Sequence, residues 1–338
     1  MRRLKVVRKE AERGAAGVTV ALLMLVLIGA GALAVDVGQI YGERAQLQNG
    51  ADAAALAVAR ACFDDPCTQA EADAVAIELA NQNALDGGSA VFTPVDLSVA
   101  KQVTVQTSTR QGAAGPGFLS KMFASALNAP PVTVGAHATA GLFTPGGGGA
   151  FPLAFSNKCW DLSGAVDTGT LQKISWKPGT TCTGPSGTTV PGGWGWLADP
   201  DADCYAVTSV GNTAGSDPGN DKPTACEEVL QGWLDVLAAG GEVNVTFPVF
   251  DTSTGTGNTA VFHIIGYATF KIIGWKFGNN GVYEYHNTTA ALGNSNLACA
   301  GGNDRCLIGQ FVKYISDGSG GGGTGGVDLG TVEIRLSN

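Results

Sequence analysis

Histidine occurs only three times in this chain, at His137, His263 and His286, and basic residues are outnumbered 20 to 29 by acidic ones. The first scarcity bears on catalysis, because histidine is the usual general base and the usual activator of a serine or cysteine nucleophile. His137 and His263 lie inside alternating stretches that read as strands, where a packed or edge histidine is the ordinary case. No Gly-x-Ser-x-Gly turn is present, and no glycine-rich phosphate or dinucleotide motif opens a helix, so nothing points to an enzyme or to a cofactor. The second scarcity argues against nucleic acid, whose binding needs a basic footprint. Proline is missing before Pro66, and charge is missing from Gly14 to Val35, 22 residues long.

That uncharged run organises the rest. As a helix rising ~1.5 Å per residue it covers roughly 33 Å, enough to cross a hydrocarbon core. Before it stand Arg2, Arg3, Lys5, Arg8, Lys9 and Arg13 against Glu10 and Glu12, a local balance of +4. A basic flank of this kind stays on the cytoplasmic side, which sends the remainder out of the cell. Beyond Gly14 the balance is −13, with 14 basic and 27 acidic residues. A cleavable signal peptide is the alternative, and Ala32 and Ala34 supply an A-x-A, but the run exceeds an ordinary h-region and no turn follows it. The simplest reading is one helix from about Ala15 to Arg60, first in lipid and then in water, with Asp36 a solvated carboxylate where the bilayer ends. Ala30, Ala34, Gly38 and Gly42 recur every four residues and the row resumes at Gly50 and Ala54, a spacing that lets another helix approach closely.

The eight cysteines, Cys62, Cys67, Cys159, Cys182, Cys204, Cys226, Cys299 and Cys306, all follow the run, and an even number outside the cell reads as four disulfides. Cys62 with Cys67 and Cys299 with Cys306 close short loops; the four central cysteines leave three pairings open. A second helix is expected over Gln69–Leu85 with Ala72, Val75, Ala76, Leu79 and Asn83 inward, then strands over Val95–Ala100 and Val103–Thr109, helical spacing from Pro116 to Leu127, and a strand from Val132 to Phe143. Gly146–Gly149 reads as a flexible linker. Beyond Ala150 the pattern is β-rich, with a short helix at Glu227–Ala239, strands at Val243–Phe250, Val261–Phe277, Phe311–Ile315 and Val327–Leu336, and a flexible glycine loop at 318–326.

The expected fold is therefore α+β. It has a basic cytoplasmic tail (1–13), a transmembrane helix (14–35), a helix extension with a small α/β unit (36–145), a linker (146–150) and a β-rich exported domain with disulfides (151–338). Two acidic motifs are candidate metal sites. Asp199, Asp201 and Asp203 could give oxygen ligands to calcium, although an EF-hand would need glycine at Cys204 and glutamate at Val210. Asp251-Thr-Ser-Thr-Gly255 resembles the Asp-x-Ser-x-Ser site of von Willebrand factor A domains, but a strand rather than a helix follows, so a hairpin is expected. Trp194 and Trp196, in Gly192-Gly-Trp-Gly-Trp-Leu197, are either core or an exposed binding cluster.

Three short motifs in order, Glu12-Arg-Gly-Ala-Ala-Gly-Val-Thr-Val-Ala-Leu-Leu23, Ala34-Val-Asp-Val-Gly-Gln-Ile-Tyr41 and Gln46-Leu-Gln-Asn-Gly-Ala-Asp-Ala-Ala-Ala-Leu-Ala57, closely resemble the N-terminal Tad region of TadG-like proteins of the bacterial Flp (tight-adherence, type IVb) pilus system. The resemblance implies a bitopic membrane protein serving pilus assembly or anchoring, and no catalysis; other membrane proteins of that apparatus are then the expected partners, docking through the small-residue row Ala30, Ala34, Gly38 and Gly42. Pilins and pseudopilins of such systems are cut after a glycine followed, at the fifth position, by glutamate. With Gly14 as that glycine the fifth residue is Thr19, so the expectation is an uncleaved, anchored chain. A minor pilin and a tethered surface binding module are the alternatives.

Overall fold

A proline-free sequence rich in alanine and leucine forms one uninterrupted helix, α1 (Arg13–Asp64). The computed structural model describes residues 13–64, 67–85, 88–110, 117, 119–160, 162, 170–176, 193–217, 224–255, 259–299, 301–316 and 322–337. The basic tail expected over 1–13 lies outside them except for Arg13. The chain divides into two units, Met1–Gly141 with Leu336–Asn338, and Leu142–Arg335.

In the first unit the side chains of α1 are exposed from Ala16 to Gly31 and, apart from half-buried Ala32, on to Val35; burial then recurs on one stripe. Asp36, Leu47, Gly50, Ala51, Ala54, Ala55, Val58 and Ala59 are buried, at steps of three and four where the stripe is continuous, as a helix laid against a core requires. The Cys62–Cys67 disulfide ties the last turn of α1 to the start of the segment that leads into α2. There α2 (Gln69–Gln82) starts on a capping box: the Thr68 hydroxyl accepts from Glu71 N at 3.3 Å, and Thr68 N donates to Glu71 Oε2 at 2.7 Å. Its buried residues are Ala72, Ala76 and Ala80, whereas Asn83 lies past the helix end and is exposed. Alanine faces let the two helices approach so closely that a Cβ on Gly50 would stand 3.2 Å from the Ala80 carbonyl oxygen.

Strands β1 (Ser89–Val91), β2 (Gln102–Thr109) and β3 (Gly135–Phe143) form an antiparallel sheet against α1, where the buried Thr107 hydroxyl donates to the Leu47 carbonyl at 2.9 Å. Two segments of this unit differ from the sequence expectation. Val95–Ala100 is not a strand, because α2 takes its backbone: Val95 N donates to Asp73 and Gln69 Nε2 donates to Val95 O. Of the helix expected from Pro116 to Leu127, the described part is a single 3-10 turn at Ala124–Leu127, and Phe118 lies outside the described residues.

The second unit opens on a strand where the sequence pattern predicts a linker. Pro145–Ala150 is strand β4, not a linker. It pairs with β8 (Ala206–Ser209) on one side and β15 (Gly322–Thr324) on the other, so part of the glycine loop expected at 318–326 is also strand. The glycines serve packing: a Cβ on Gly149 would collide with the Tyr205 ring.

The main sheet runs β6 (Gln172–Ser175), β13 (Cys306–Val312), β11 (Val261–Lys276), β10 (Val243–Thr254), β5 (Leu153–Ser156), β7 (Trp194–Trp196). All its neighbours are antiparallel except β10 with β5. Residues Asp251–Thr254 belong to the β10–β11 hairpin, and β9 (Thr213–Gly215) and β12 (Glu284–Tyr285) pair with the two ends of β11. Helix α3 (Glu227–Ala238) lays Leu230 and Trp233 onto the core, with the Trp233 and Trp275 rings 5.6 Å apart and nearly perpendicular. Helix α4 (Thr289–Leu292) leads toward the Cys299–Cys306 disulfide. Cys204 pairs with Cys226 and Cys159 is disulfide-bonded, while Cys182 lies outside the described residues. Late in the chain β14 (Tyr314–Ser316) and β16 (Thr331–Ser337) pair in parallel.

Candidate functional site

The candidate site is α1 itself, and its pivotal residue is Asp36. A carboxylate placed directly after 22 uncharged residues is costly unless it is solvated or partnered. The structure does not leave it solvated: Asp36 is only 4 % exposed. Its two oxygens accept from Phe123 N at 2.8 Å and Ala124 N at 2.6 Å, the amides that open the 3-10 turn. The carboxylate acts as a helix cap brought in from another element, with charge-assisted bonds offsetting its desolvation. This corrects the expectation of a solvated interfacial carboxylate. Its position after the apolar run was the signal that a partner was needed; the partners lie 87 and 88 residues away.

The segment that reaches Asp36 is a closed strap. Leu119 and Val132 bond each other through both backbone groups at its base, at 2.8 and 3.2 Å. Gln39 Nε2 donates to Ser120 O at 3.3 Å, one helical turn beyond Asp36. At the far end of the 3-10 turn Asn128 takes a left-handed φ of 58°, and Asn128 N and Ala129 N return to the Ser125 and Ala124 carbonyls. Held this way, the strap leaves Met122, Phe123 and Leu127 exposed.

The small-residue row is placed in two environments. Gly50 and Ala54 are buried in the first unit, with Gly50 against Ala80. Ala30, Ala34, Gly38 and Gly42 are exposed, and a Cβ on either glycine meets nothing within 4 Å. A row spaced by four turns about 40° per step around a 3.6-residue helix, so its two ends face different ways.

The other sequence candidates are not assembled into a site. Asp199 spends its carboxylate on the turn that follows it, accepting from Asp203 N at 3.2 Å and Cys204 N at 2.8 Å. Asp201 and Asp203 are exposed, and no group of three His, Cys, Asp or Glu with metal-ligand geometry occurs among the described residues. His263 Nδ1 stands 2.7 Å from Asp251 Oδ1, a pairing that sequence reasoning missed. It arises because β10 bulges at Asp251 opposite His263, itself flanked by β9. The carboxylate fixes the ring's orientation and also accepts from the Thr252 hydroxyl at 3.2 Å. His137 is exposed on β3, and His286 stacks on Tyr285 with ring centroids 4.1 Å apart.

Trp194 and Trp196 are 2 % and 3 % exposed, 5.2 Å apart edge to face, within a core that includes Phe151, Phe155, Phe247 and Phe277. The alternating glycines let rings lie against the backbone: a Cβ on Gly195 would stand 2.4 Å from Phe262, and one on Gly193 2.4 Å from Trp160. A cleft of about 530 Å³ includes Lys173, Trp176, Asp304 and Arg305, but Lys173 donates to Ala298 O and Arg305 to the Gly302 and Asp304 carbonyls.

Residues 14–61 match a protein-family model described as "Tad: Putative Flp pilus-assembly TadE/G-like". No curated protein and no solved structure matches the chain.

Proposed function

We propose, from the match over residues 14–61, that this chain is a membrane-anchored structural component of a Flp pilus-assembly apparatus, with its two folded units on the extracytoplasmic side. The observation that carries the reading is the continuity of α1. One helix exposes an apolar half long enough to span a bilayer and then, without a break, becomes the core of a folded unit. The matched residues lie within α1 and extend over both of its halves, so the likeness to the family covers the exposed apolar half and the half that packs into the first unit. A rigid joint transmits position and force from the membrane to the envelope, which suits an assembly or anchoring part. The basic residues before Gly14 favour a cytoplasmic N-terminus.

Burial of Trp194 and Trp196 removes the surface feature on which the binding-module alternative rested. Thr19, where a pilin would carry glutamate, weighs against a minor pilin and for an uncleaved anchor.

Deletion and complementation test the role. Cells lacking the chain should lose their surface filaments; the full chain should restore them, and a chain without residues 16–35 should not. Filaments that persist without the chain would contradict the reading.

A further inference from the structure

Three observations bear on the strap and none is needed for the anchoring role. First, the strap is docked at Asp36, the residue at which the uncharged run ends, so it is fixed to the end of the apolar half; contacts of α1 with the rest of the unit at Gln46, Leu47, Gln48 and Gly50 lie further along the helix. Second, the surface it presents there is apolar: Met122 is 67 % exposed and Leu127 84 %, with Phe123 beside them. Third, the chain is acidic as a whole, yet no Asp or Glu occurs from residue 97 to 160, and the only charge between Leu119 and Val132 is Lys121.

Large apolar side chains fixed outward cost stability unless something covers them. What lies beside them, if α1 spans, is the boundary between acyl chains and headgroups, where apolar side chains and a cation are both favoured. Tyr41, 70 % exposed and five residues beyond Asp36, falls about 7 Å further along the helix, at headgroup depth, where tyrosine concentrates.

We infer that the strap Leu119–Ala129 is a second membrane contact: a foot whose Met122, Phe123 and Leu127 enter the interfacial layer of the same bilayer that α1 crosses. This rests on the anchoring reading. Two contacts resist tilting where one helix alone pivots, and the Asp36 carboxylate is what locks the foot to the helix.

The test is photo-crosslinking of the full chain in native membranes, with p-benzoylphenylalanine placed singly at Leu27, Met122, Leu127 or Ile77 and adducts identified by mass spectrometry. Leu27 lies in the apolar half of α1, and Ile77 is exposed on α2, near the level of Gly50. The foot predicts lipid adducts at Met122 and Leu127, as at Leu27, and none at Ile77. Lipid at Leu27 but only protein or no adduct at Met122 and Leu127 would overturn the foot and leave the anchor standing. Lipid at Ile77 as strongly as at Met122 would overturn it too, and absence of lipid at Leu27 would remove the anchoring reading beneath it.

Discussion

The two halves of α1 invert the usual relation between size and burial. In the first half Leu22, Leu25, Leu27 and Ile28 are 60 to 72 % exposed; in the second, Gly50, Ala51, Ala54 and Ala55 are buried. A helix in water would hide the leucines and show the alanines. On the proposed anchoring, two solvents act on one helix: lipid needs no burial of large aliphatics, while the folded unit needs small residues to bring α2 within reach of the Gly50 backbone. Hydropathy therefore identifies the first half, and only side-chain size identifies the second.

The largest expected effect comes from breaking the first half. Leu25→Arg should cost about 3 kcal/mol of insertion, depleting the chain from carbonate-washed membranes while leaving the amide-exchange protection of α2 intact. Next comes the contrast between two glycines of one row. Gly50→Leu should overpack the α1–α2 contact and cost about 2–3 kcal/mol, read as a lower unfolding midpoint of the purified chain. Gly38→Leu should leave that midpoint unchanged, since nothing lies within 4 Å. If it reduces co-isolation of Flp pilus-assembly proteins, the exposed part of the row is a docking face for the proposed partners.

At the joint between the halves, Asp36→Asn keeps the shape but loses the charge and one acceptor. It should cost about 2 kcal/mol of strap docking and raise hydrogen exchange at the amides of Phe123 and Ala124 before any other in the unit.

The smallest effect is at the α2 cap. The Thr68 backbone amide, and then its hydroxyl, hold the Glu71 carboxyl below its ordinary value. A lowered folded pKa contributes stability above the unfolded value that is lost as pH falls through the folded one. The first turn of α2 should stay protected at neutral pH and fray only in acid, which exchange at Glu71 N measures against pH.

What the sequence made legible follows the same division. Features carried by local pattern were visible: α1 to within a few residues of its ends, α2, and the β10–β11 hairpin over Asp251–Thr254. Features set by distant partners were not. Gly146–Gly149 looks like a linker because glycine carries no pattern, and it is a strand because β8 and β15 lie on either side and Tyr205 covers it. Val95 sits in an alternating stretch, yet Asp73 and Gln69 claim its backbone. Asp36 looks like the solvated end of a span until residues 123 and 124 return to it. The tryptophans read equally as core or surface, since alternation of glycine and tryptophan does not tell which face is covered.

The most direct measurement is the state of the Gly14–Ala15 bond in cells, by mass spectrometry of the chain from washed membranes and from sheared filaments. Peptides that cross this bond intact should be recovered from the membrane fraction. A chain beginning at Ala15 and recovered with the filaments would contradict the anchoring reading and make the protein part of the fibre.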